Sequence, residues 1–209
     1  AAQFNGAAMI QVSTDYVFDG TAHIPYTEEC DPCPNSVYGT TKLEGEYEVL
    51  NHCEKSVVIR TAWLYSTFGN NFVKTMMMLS DRVANPDDQL EQVTVVDDQY
   101  GRLTFTKDMA EAIFHLLDSH APYGTYNLTG SGAVRNWAQI ASRVFELTNG
   151  NGEKVKPIST AEYFANAKAP VSPRPEHSAL DLSKIKAAGY TPADWEETLE
   201  AYVNKELGK

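Results

Sequence analysis

The sequence is short of cysteine and has no apolar run long enough to cross a membrane. Its three cysteines are an odd number, which argues against a disulfide framework and favours a reducing compartment. No stretch approaches the roughly 20 apolar residues that span a bilayer, and the first residues lack the basic-then-apolar layout of a secretory signal. We therefore expect a soluble, cytoplasmic protein that does not bind membranes.

Positive charge is also scarce. Lys and Arg total 17 against 28 Asp and Glu, which gives a formal net charge of −11. At long range such a chain repels the phosphates of DNA and RNA, so this balance excludes nonspecific nucleic-acid binding. An anionic small molecule would need a local basic pocket.

Two of the cysteines form a CDPC motif, Cys30 to Cys33, and His52 and Cys53 lie side by side further on. A pair at this spacing can be half of a zinc site or a redox dithiol. A structural zinc site needs four ligands at firm spacings, and a redox pair usually opens a helix of a thioredoxin-like unit; the sequence shows neither. We interpret these residues as ordinary loop cysteines.

Apolar residues make up 43% of the 209 positions, enough for a sizeable core, and they follow two periods. Short β-rich runs are predicted to be strands at residues 8–13, 56–63, 92–97, 125–129 and 154–158. Four segments of helical period are predicted to begin near Asn35 or Ser36, after the GNN at 69–71, at Thr106, and at Pro192 with Thr191 as the cap. A further helix is predicted to hold Trp137 and to end at Asn149 and Gly150. This alternation predicts a parallel α/β sheet covered by helices.

Two finer expectations concern the first helix and a late loop. The helical period predicts that Leu43, Tyr47 and Leu50 share one face of the first helix. Residues 166–178 contain three prolines, which exclude a long helix and predict an ordered loop.

A polar cluster ends the first predicted strand, in the octet STDYVFDG at residues 13–20. In an open parallel sheet, ligands bind beyond the carboxyl ends of the strands, where Ser13, Thr14 and Asp15 are expected to lie. The same residue types routinely begin turns by bonding their own backbone. Taken alone, the octet favours the turn interpretation.

The segment SVYGTTK places Tyr38 and Lys42 four residues apart, on one face of the predicted helix. An ammonium group held near a phenol favours the phenolate, so such a tyrosine can exchange a proton at ordinary pH. This chemistry suits carbonyl reduction, in which negative charge grows on the carbonyl oxygen, and a hydroxyl such as that of Thr14 would stabilise the charge. The same spacing is common on solvated helices, so it does not decide the function.

Several motifs in order resemble one family over nearly the whole chain. They are STDYVFDG, PNSVYGTTKLEGE, RTAWLY, GNNF, VDDQYGRLT, GTYNLTG and RPEHSALDLSKI. Together they resemble the extended short-chain dehydrogenase/reductases, and within that group the dTDP-4-dehydrorhamnose reductases. The resemblance implies an α/β fold, the carboxy-terminal part of a doubly wound parallel Rossmann-like sheet plus a smaller α/β substrate-binding domain. It implies residues 1–130 for the first domain and 131–209 for the second, with 66–104 contributing partly to the second.

The resemblance also implies an activity: reduction of the 4-keto group of dTDP-6-deoxy-L-lyxo-4-hexulose to dTDP-L-rhamnose with NADPH or NADH. The implied catalytic residues are Thr14, Tyr38 and Lys42, and the implied cofactor contacts are Ser13, Tyr38 and Lys42. The implied contacts to the nucleotide sugar are Asp15, Tyr16, Trp63, Asn71 and Arg174. Simple core filling is the alternative for Trp63, and a surface ion pair is the alternative for Arg174.

Two departures from the family pattern stand out. Leu103 occupies a position where relatives usually have proline, which bears on the shape of that loop. No glycine-rich cofactor turn is present: the best candidate, GSGAVR at 130–135, has Arg135 where the third glycine belongs. We therefore expect this chain to be the carboxy-terminal part of a reductase, with weak cofactor binding and exposed sheet edges that favour a homodimer or another association. A role for Mg²⁺ is left open.

Two alternatives compete with the reductase hypothesis. One is a binding module on a reductase scaffold, such as the regulatory subunit of methionine adenosyltransferase, which resembles this family. The other is an epimerase or dehydratase of the same superfamily, because those enzymes share the tyrosine and lysine.

Overall fold

The structure is a computed structural model that describes residues 1–165, 167 and 171–208. The strands are β1 Met9–Thr14, β2 Ser56–Thr61, β3 Leu64–Tyr65, β4 Val93–Val96, β5 Tyr100–Gly101, β6 Thr104–Phe105, β7 Gly124–Asn127, β8 Arg135–Asn136 and β9 Val155–Ile158. The helices are α1 Val37–His52, α2 Phe72–Ala84, α3 Thr106–Asp118, α4 Trp137–Asn149, α5 Thr160–Tyr163, α6 Ser183–Ala187 and α7 Trp195–Glu206. Single 3₁₀ turns lie at Gln3–Asn5, Asp15–Val17 and Gly152–Lys154.

The central sheet is parallel, in the order β1-β2-β7. Every residue of β2 is buried, as expected for a strand covered on both faces. In the register of the sheet, Ser13 lies beside Arg60 and Thr14 beside Thr61. The predicted parallel sheet is therefore confirmed, and it brings the polar ends of β1 and β2 to one edge.

The apolar core consists of separate clusters. One lies against the sheet, between β2, β7, α3 and α6, and is formed by Val57, Ile59, Met109, Ala112, Leu116, Tyr126, Leu128, Leu182 and Ile185. A larger one is built on α2, α4 and α7 with the parallel pair β4–β9, and includes Val73, Met76, Val93, Ile140, Val144, Phe145, Leu199 and Val203. The chain crosses between them more than once, since α6 follows α4 yet packs on the sheet. The domain boundary at residue 130 stays a prediction.

Polar caps set the starts of three predicted helices. Ser36 Oγ accepts from Gly39 N–H (3.1 Å) at α1, and Asn71 Oδ1 accepts from Lys74 N–H (3.1 Å) at α2. Asn136 begins α4 in a reciprocal capping box with Gln139. The predicted starts of α1 and α2 are confirmed, and α4 ends at Asn149 as predicted.

The predicted start of the last helix is wrong. Helix α7 begins at Trp195, and Asp194 caps it by accepting from Glu196 N–H (2.8 Å). The backbone just before it is occupied by pairing with Ser131, which donates its N–H to Ala193 O (2.8 Å) and accepts from Trp195 N–H (3.1 Å). Pairing of this kind holds the segment extended and prevents the helix from starting earlier.

The predicted face of α1 is only partly correct. Leu43 is buried, whereas Tyr47 is 49% exposed and Leu50 is 37% exposed. Glu46 is buried in their place, 1% exposed, because it pairs with Arg60 of β2. Arg60 Nη2 donates to Glu46 Oε2 at 2.7 Å, and Arg60 Nε donates to both carboxylate oxygens at 3.1 Å.

The proline-rich segment 166–178 lies partly outside the described residues. Its described part is irregular and is held to the body of the protein by backbone hydrogen bonds. His177 N–H donates to Gly20 O (2.8 Å), and Ser178 N–H donates to Tyr100 O (2.7 Å). Over residues 171–178 the predicted absence of a long helix is confirmed, and the order of the loop stays a prediction.

Helix α1 touches the turn that follows β1 at Gly39. A Cβ atom at this position would lie 2.1 Å from the carbonyl oxygen of Tyr16. Only glycine permits so close an approach between the helix and this turn.

Two glycines on α1 allow a matched test of this contact. We expect Gly39→Ala to lower the free energy of unfolding by about 1–3 kcal/mol, because the backbone must move to admit the methyl group. Gly45→Ala should raise it by about 0.5–1 kcal/mol, since the new Cβ would meet nothing closer than Gln11 Nε2 at 3.7 Å and alanine favours the helix. Urea denaturation of both variants checks this; equal stability would show that α1 does not depend on the contact.

Candidate active site

The end of β1 supplies one side of the site. Ser13, Thr14 and Asp15 are 3%, 5% and 4% exposed. Thr14 Oγ1 donates to Asp15 Oδ1 (3.0 Å) and accepts from Tyr16 N–H (3.2 Å), which caps the 3₁₀ turn. The turn interpretation of the octet is thus correct for Thr14, yet the same side chain also lines a cavity.

The first turns of α1 lie over this strand end. Lys42 Nζ donates to Val12 O at 2.5 Å, which ties the helix to β1 just before Thr14. The ring of Tyr38 meets the ring of Tyr16 edge-on, with centroids 5.4 Å apart, and Tyr38 remains 52% exposed. Both Tyr38 and Lys42 line the cavity that Thr14 lines.

A tryptophan pair forms the opposite wall. Trp63 stacks on Trp137 with ring centroids 3.9 Å apart and an interplanar angle of 22°. Trp63 has a φ of 51°, in the left-handed region that non-glycine residues rarely adopt. A Cβ at Gly101 would lie 2.8 Å from the Trp63 ring, so glycine leaves the room the indole needs.

The cavity has a volume of about 420 Å³. It contains most of the predicted site residues, namely Ser13, Thr14, Asp15, Tyr16, Tyr38, Lys42, Trp63 and Arg174. It is further lined by Val12, Thr61, Ala62, Leu64, Gln99, Trp137, Pro175 and Ser178. Residues that are distant in sequence, from β1, α1, β2 and the proline-rich loop, are thereby brought to one place.

Asn71 is not among the residues that line this cavity. Its side chain accepts from Lys74 N–H and donates to Ser66 O (2.8 Å), so the amide is used at the start of α2. The structure therefore gives Asn71 a structural role as a helix cap and does not place it with the other predicted contacts.

Gln99 and Trp137 were missed from the sequence. Gln99 lies just beyond the end of β4, as Asp15 lies just beyond the end of β1, and it is 6% exposed. The signal for Gln99 was a run of polar residues after an apolar strand, in VVDDQ. Nothing in the local sequence marks Trp137, because helical period alone places it in a core.

A second cavity, also of about 420 Å³, adjoins the first. The two share Gln99, Trp137 and Arg174. The second is rich in aromatic and apolar side chains, including Phe72, Met76, Tyr163 and Phe164. The shared residues make the two cavities one groove, polar at the β1 end and aromatic at the other.

Burial changes the acid–base chemistry of the strand end. Desolvation raises the pKa of Asp15 from 3.8 to about 6, against the opposing effect of the nearby Ser178 hydroxyl and of the hydrogen bond from Thr14. Asp15 Oδ2 has no hydrogen-bond partner among the described residues. Desolvation, with the charge of Asp15, also raises the pKa of Tyr16.

Comparison with known proteins identifies the family. Residues 1–207 match the model of the RmlD substrate binding domain. The chain belongs to the RmlD substrate binding domain family. A dTDP-4-dehydrorhamnose reductase of Streptomyces griseus is 40% identical over 192 residues, 90% of this chain and 59% of that protein.

Solved structures of members of the RmlD family share the fold. The crystal structure of a dTDP-4-dehydrorhamnose reductase from Clostridium acetobutylicum is 37% identical, with a TM-score of 0.86 over 99% of this chain and 68% of that one. The enzyme from Bacillus anthracis, solved in complex with NADP, is 33% identical, with a TM-score of 0.84 over 98% of this chain and 68% of that one. The chain thus spans about two thirds of the RmlD-family proteins that it matches, and its Rossmann-like α/β architecture is confirmed.

The cysteines and the metal-ligating side chain types show no cluster that would bind a metal in the described part of the chain. Cys30, Cys33 and Cys53 are free thiols, and Cys33 is exposed. Within the described part of the chain, no group of three or more His, Cys, Asp or Glu side chains is arranged to hold a metal ion. No described helix is both long enough and apolar enough to cross a membrane.

The raised pKa of Asp15 predicts a pH-dependent stability. Because the folded pKa, about 6, lies above the ordinary value of 3.8, the fold favours the neutral carboxyl. Its contribution is complete below about pH 4 and is lost as the pH rises through about 6, a loss of up to about 3 kcal/mol. Asp15→Asn cannot ionise, so its free energy of unfolding should exceed that of the wild type at neutral pH and lose this pH dependence, as denaturation at several pH values would show.

Asp19→Asn is the control, because the pKa of Asp19 is lowered whereas that of Asp15 is raised. Hydrogen bonds from Tyr26 and Thr21 lower the pKa of Asp19, so its ionised form stabilises the fold above its ordinary pKa. Asp19→Asn should therefore be less stable than the wild type at neutral pH, and the difference should shrink on acidification. A parallel pH response of the two variants would contradict the assignment for Asp15.

Proposed function

We propose that this chain carries the proton-donating and sugar-nucleotide-binding residues of a nicotinamide-dependent reductase. The substrate is dTDP-6-deoxy-L-lyxo-4-hexulose, whose 4-keto group is reduced to give dTDP-L-rhamnose. The observation that carries the proposal is the presence of Thr14, Tyr38 and Lys42 around one cavity at the carboxyl ends of parallel strands. Membership of the RmlD family and the similarity to dTDP-4-dehydrorhamnose reductases support it.

Tyr38 is the proton donor in this proposal. The carbonyl oxygen gains negative charge as its carbon is reduced, and the phenol of Tyr38 gives that oxygen a proton. Lys42 lines the same cavity, and its position is fixed by the hydrogen bond to Val12 O. The exposure of Tyr38 on the cavity side leaves its hydroxyl free to meet a ligand.

Thr14 stabilises the developing charge by donating its hydroxyl proton to the same oxygen. In the structure that proton is directed to Asp15 Oδ1, so it must turn from Asp15 to the substrate.

The residues near β1 fit a nicotinamide cofactor. Ser13 Oγ is buried and has no hydrogen-bond partner among the described residues. It lies next to Val12, whose carbonyl oxygen accepts the hydrogen bond from Lys42. Ser13, Tyr38 and Lys42 would hold the nicotinamide and its ribose, and the bound, reduced cofactor supplies the hydride. The NADP complex of the Bacillus anthracis relative makes NADPH the first cofactor to test.

The groove suits the rest of the substrate. The indole of Trp63 offers an apolar surface for the sugar beside Thr14 and Tyr38. Arg174 lines both cavities and can bind a diphosphate with paired donors. Together with Lys42 it supplies the local positive charge that an acidic chain needs to hold a dianion.

The first test is activity of the full-length protein with NADPH and the 4-keto sugar nucleotide, followed by the absorbance of the reduced nicotinamide. We expect Tyr38→Phe to lower kcat by about 10²- to 10⁴-fold, the usual contribution of a general acid. Tyr47→Phe is the matched control, because Tyr47 lies on the same helix, is half exposed and does not line the cavity. If Tyr38→Phe retains full activity, Tyr38 is not the proton donor; binding without turnover by the wild type would favour the binding-module alternative.

The second test concerns Arg174. Loss of a charge-assisted pair to a phosphate group should raise KM for the sugar nucleotide about 10- to 100-fold in Arg174→Ala, with a smaller change in kcat. Arg174→Lys should recover only part of this loss, since lysine keeps the charge but not the paired donors. Arg143→Ala is the control, because Arg143 pairs with Glu200 (2.7 Å) outside the groove. An unchanged KM in Arg174→Ala would favour the surface role for this arginine.

A further inference from the structure

Gln99 lies at the junction of the two cavities. It is 6% exposed and lines both, so the small surface it leaves open faces the groove. Its amide nitrogen Nε2 donates to Thr160 Oγ1 at 2.8 Å. Among the described residues, no donor is hydrogen-bonded to the amide oxygen Oε1.

The orientation of this amide follows from counting protons. Both carboxyl oxygens of Asp98 accept hydrogen bonds from Thr160: Oδ2 accepts from Thr160 N–H (2.8 Å) and Oδ1 from the Thr160 hydroxyl (2.5 Å). The single hydroxyl proton of Thr160 is therefore committed to Asp98. Thr160 Oγ1 can then only accept from Gln99, so the NH₂ group of Gln99 must face Thr160.

The hydrogen bonds that join Gln99 to Thr160 and Thr160 to Asp98, called the Thr160–Asp98 relay below, lie at the ends of two paired strands. Asp98 follows β4 and Thr160 begins α5 after β9, and these two strands are paired in parallel. Asp97 N–H donates to Ile158 O (3.0 Å), which continues the pairing up to the relay. Helix α5 is fixed at its start by a capping box between Ser159 and Glu162.

We propose that Gln99 Oε1 accepts a hydrogen bond from a hydroxyl of the hexose, and that the Thr160–Asp98 relay fixes the amide as an acceptor at that point. The inference rests on the proposed function, and it makes Gln99 a specificity-determining residue for the sugar. Because Gln99 Oε1 is buried and can only accept, the site favours a sugar with a hydroxyl group at this point. A sugar without that hydroxyl would leave the oxygen unpaired and bind more weakly.

Calorimetry with two ligands tests this contact in the full-length protein. The probes are dTDP-L-rhamnose, which carries the hexose, and dTDP, which lacks it. We expect Gln99→Ala to weaken binding of dTDP-L-rhamnose by about 5- to 50-fold and to leave binding of dTDP within about twofold, because only the sugar contact is lost. Equal weakening of both ligands, or of neither, overturns the proposal.

Variants of Thr160 test the relay. Thr160→Val removes the hydroxyl and frees the amide to turn, so it should weaken dTDP-L-rhamnose selectively by about 3- to 10-fold. Thr160→Ser keeps the hydroxyl and should restore wild-type binding. If Thr160→Val binds both ligands as the wild type does, the relay does not determine that Gln99 Oε1 faces the groove.

The same measurements separate this inference from the proposed function. If the wild type binds neither ligand, the function itself fails, and the inference fails with it. If the wild type binds dTDP-L-rhamnose and the Gln99→Ala variant binds it equally well, the function stands and the role of Gln99 is refuted.

Discussion

The buried ion pair between Glu46 and Arg60 holds α1 against the parallel sheet, and the site depends on that placement. Burying either charge alone would be costly, so each residue is held where the other is. Arg60 lies beside Ser13 in the sheet, and its guanidinium also lies 5.0 Å above the ring of Phe18. One side chain therefore links three parts of the site: the end of β1, the turn that follows it and the helix that bears Tyr38 and Lys42.

Close contact between α1 and β1 completes this arrangement. Gly39 allows the first turn of the helix to reach the carbonyl oxygen of Tyr16, and Lys42 bonds to the backbone of Val12. The phenol of Tyr38 and the hydroxyl of Thr14 thus come to the same cavity although they lie on different elements. Proton donation and charge stabilisation at one substrate oxygen require this juxtaposition.

The opposite wall of the candidate site shows backbone strain at Trp63. Trp63 adopts a left-handed conformation, which costs on the order of 1–3 kcal/mol for a residue other than glycine. Stacking on Trp137 and the space left by Gly101 offset that cost. The indole is therefore held at the groove by its own packing, which would lower the entropic cost of the proposed sugar contact.

Much of the fold could be predicted from the sequence because its signals are local. Strand and helix periods, and the cap at Ser36, depend on neighbours only a few residues away. The resemblance carried by the ordered motifs then predicted Thr14, Tyr38, Lys42 and Arg174 as parts of one site, and the cavity does contain all four.

Tertiary structure alone decided the rest. The sequence could not show that Glu46 turns inward while Tyr47 and Leu50 stay exposed, because the arginine that neutralises Glu46 lies on another element. Nor could it show that Asn71 is used as a cap, that Ser131 delays the start of α7, or that Thr160 orients Gln99 across 61 positions of chain. Local periodicity determines which elements form; pairing of buried polar groups between distant segments determines how the site is assembled, and those partners are chosen only when the chain has folded.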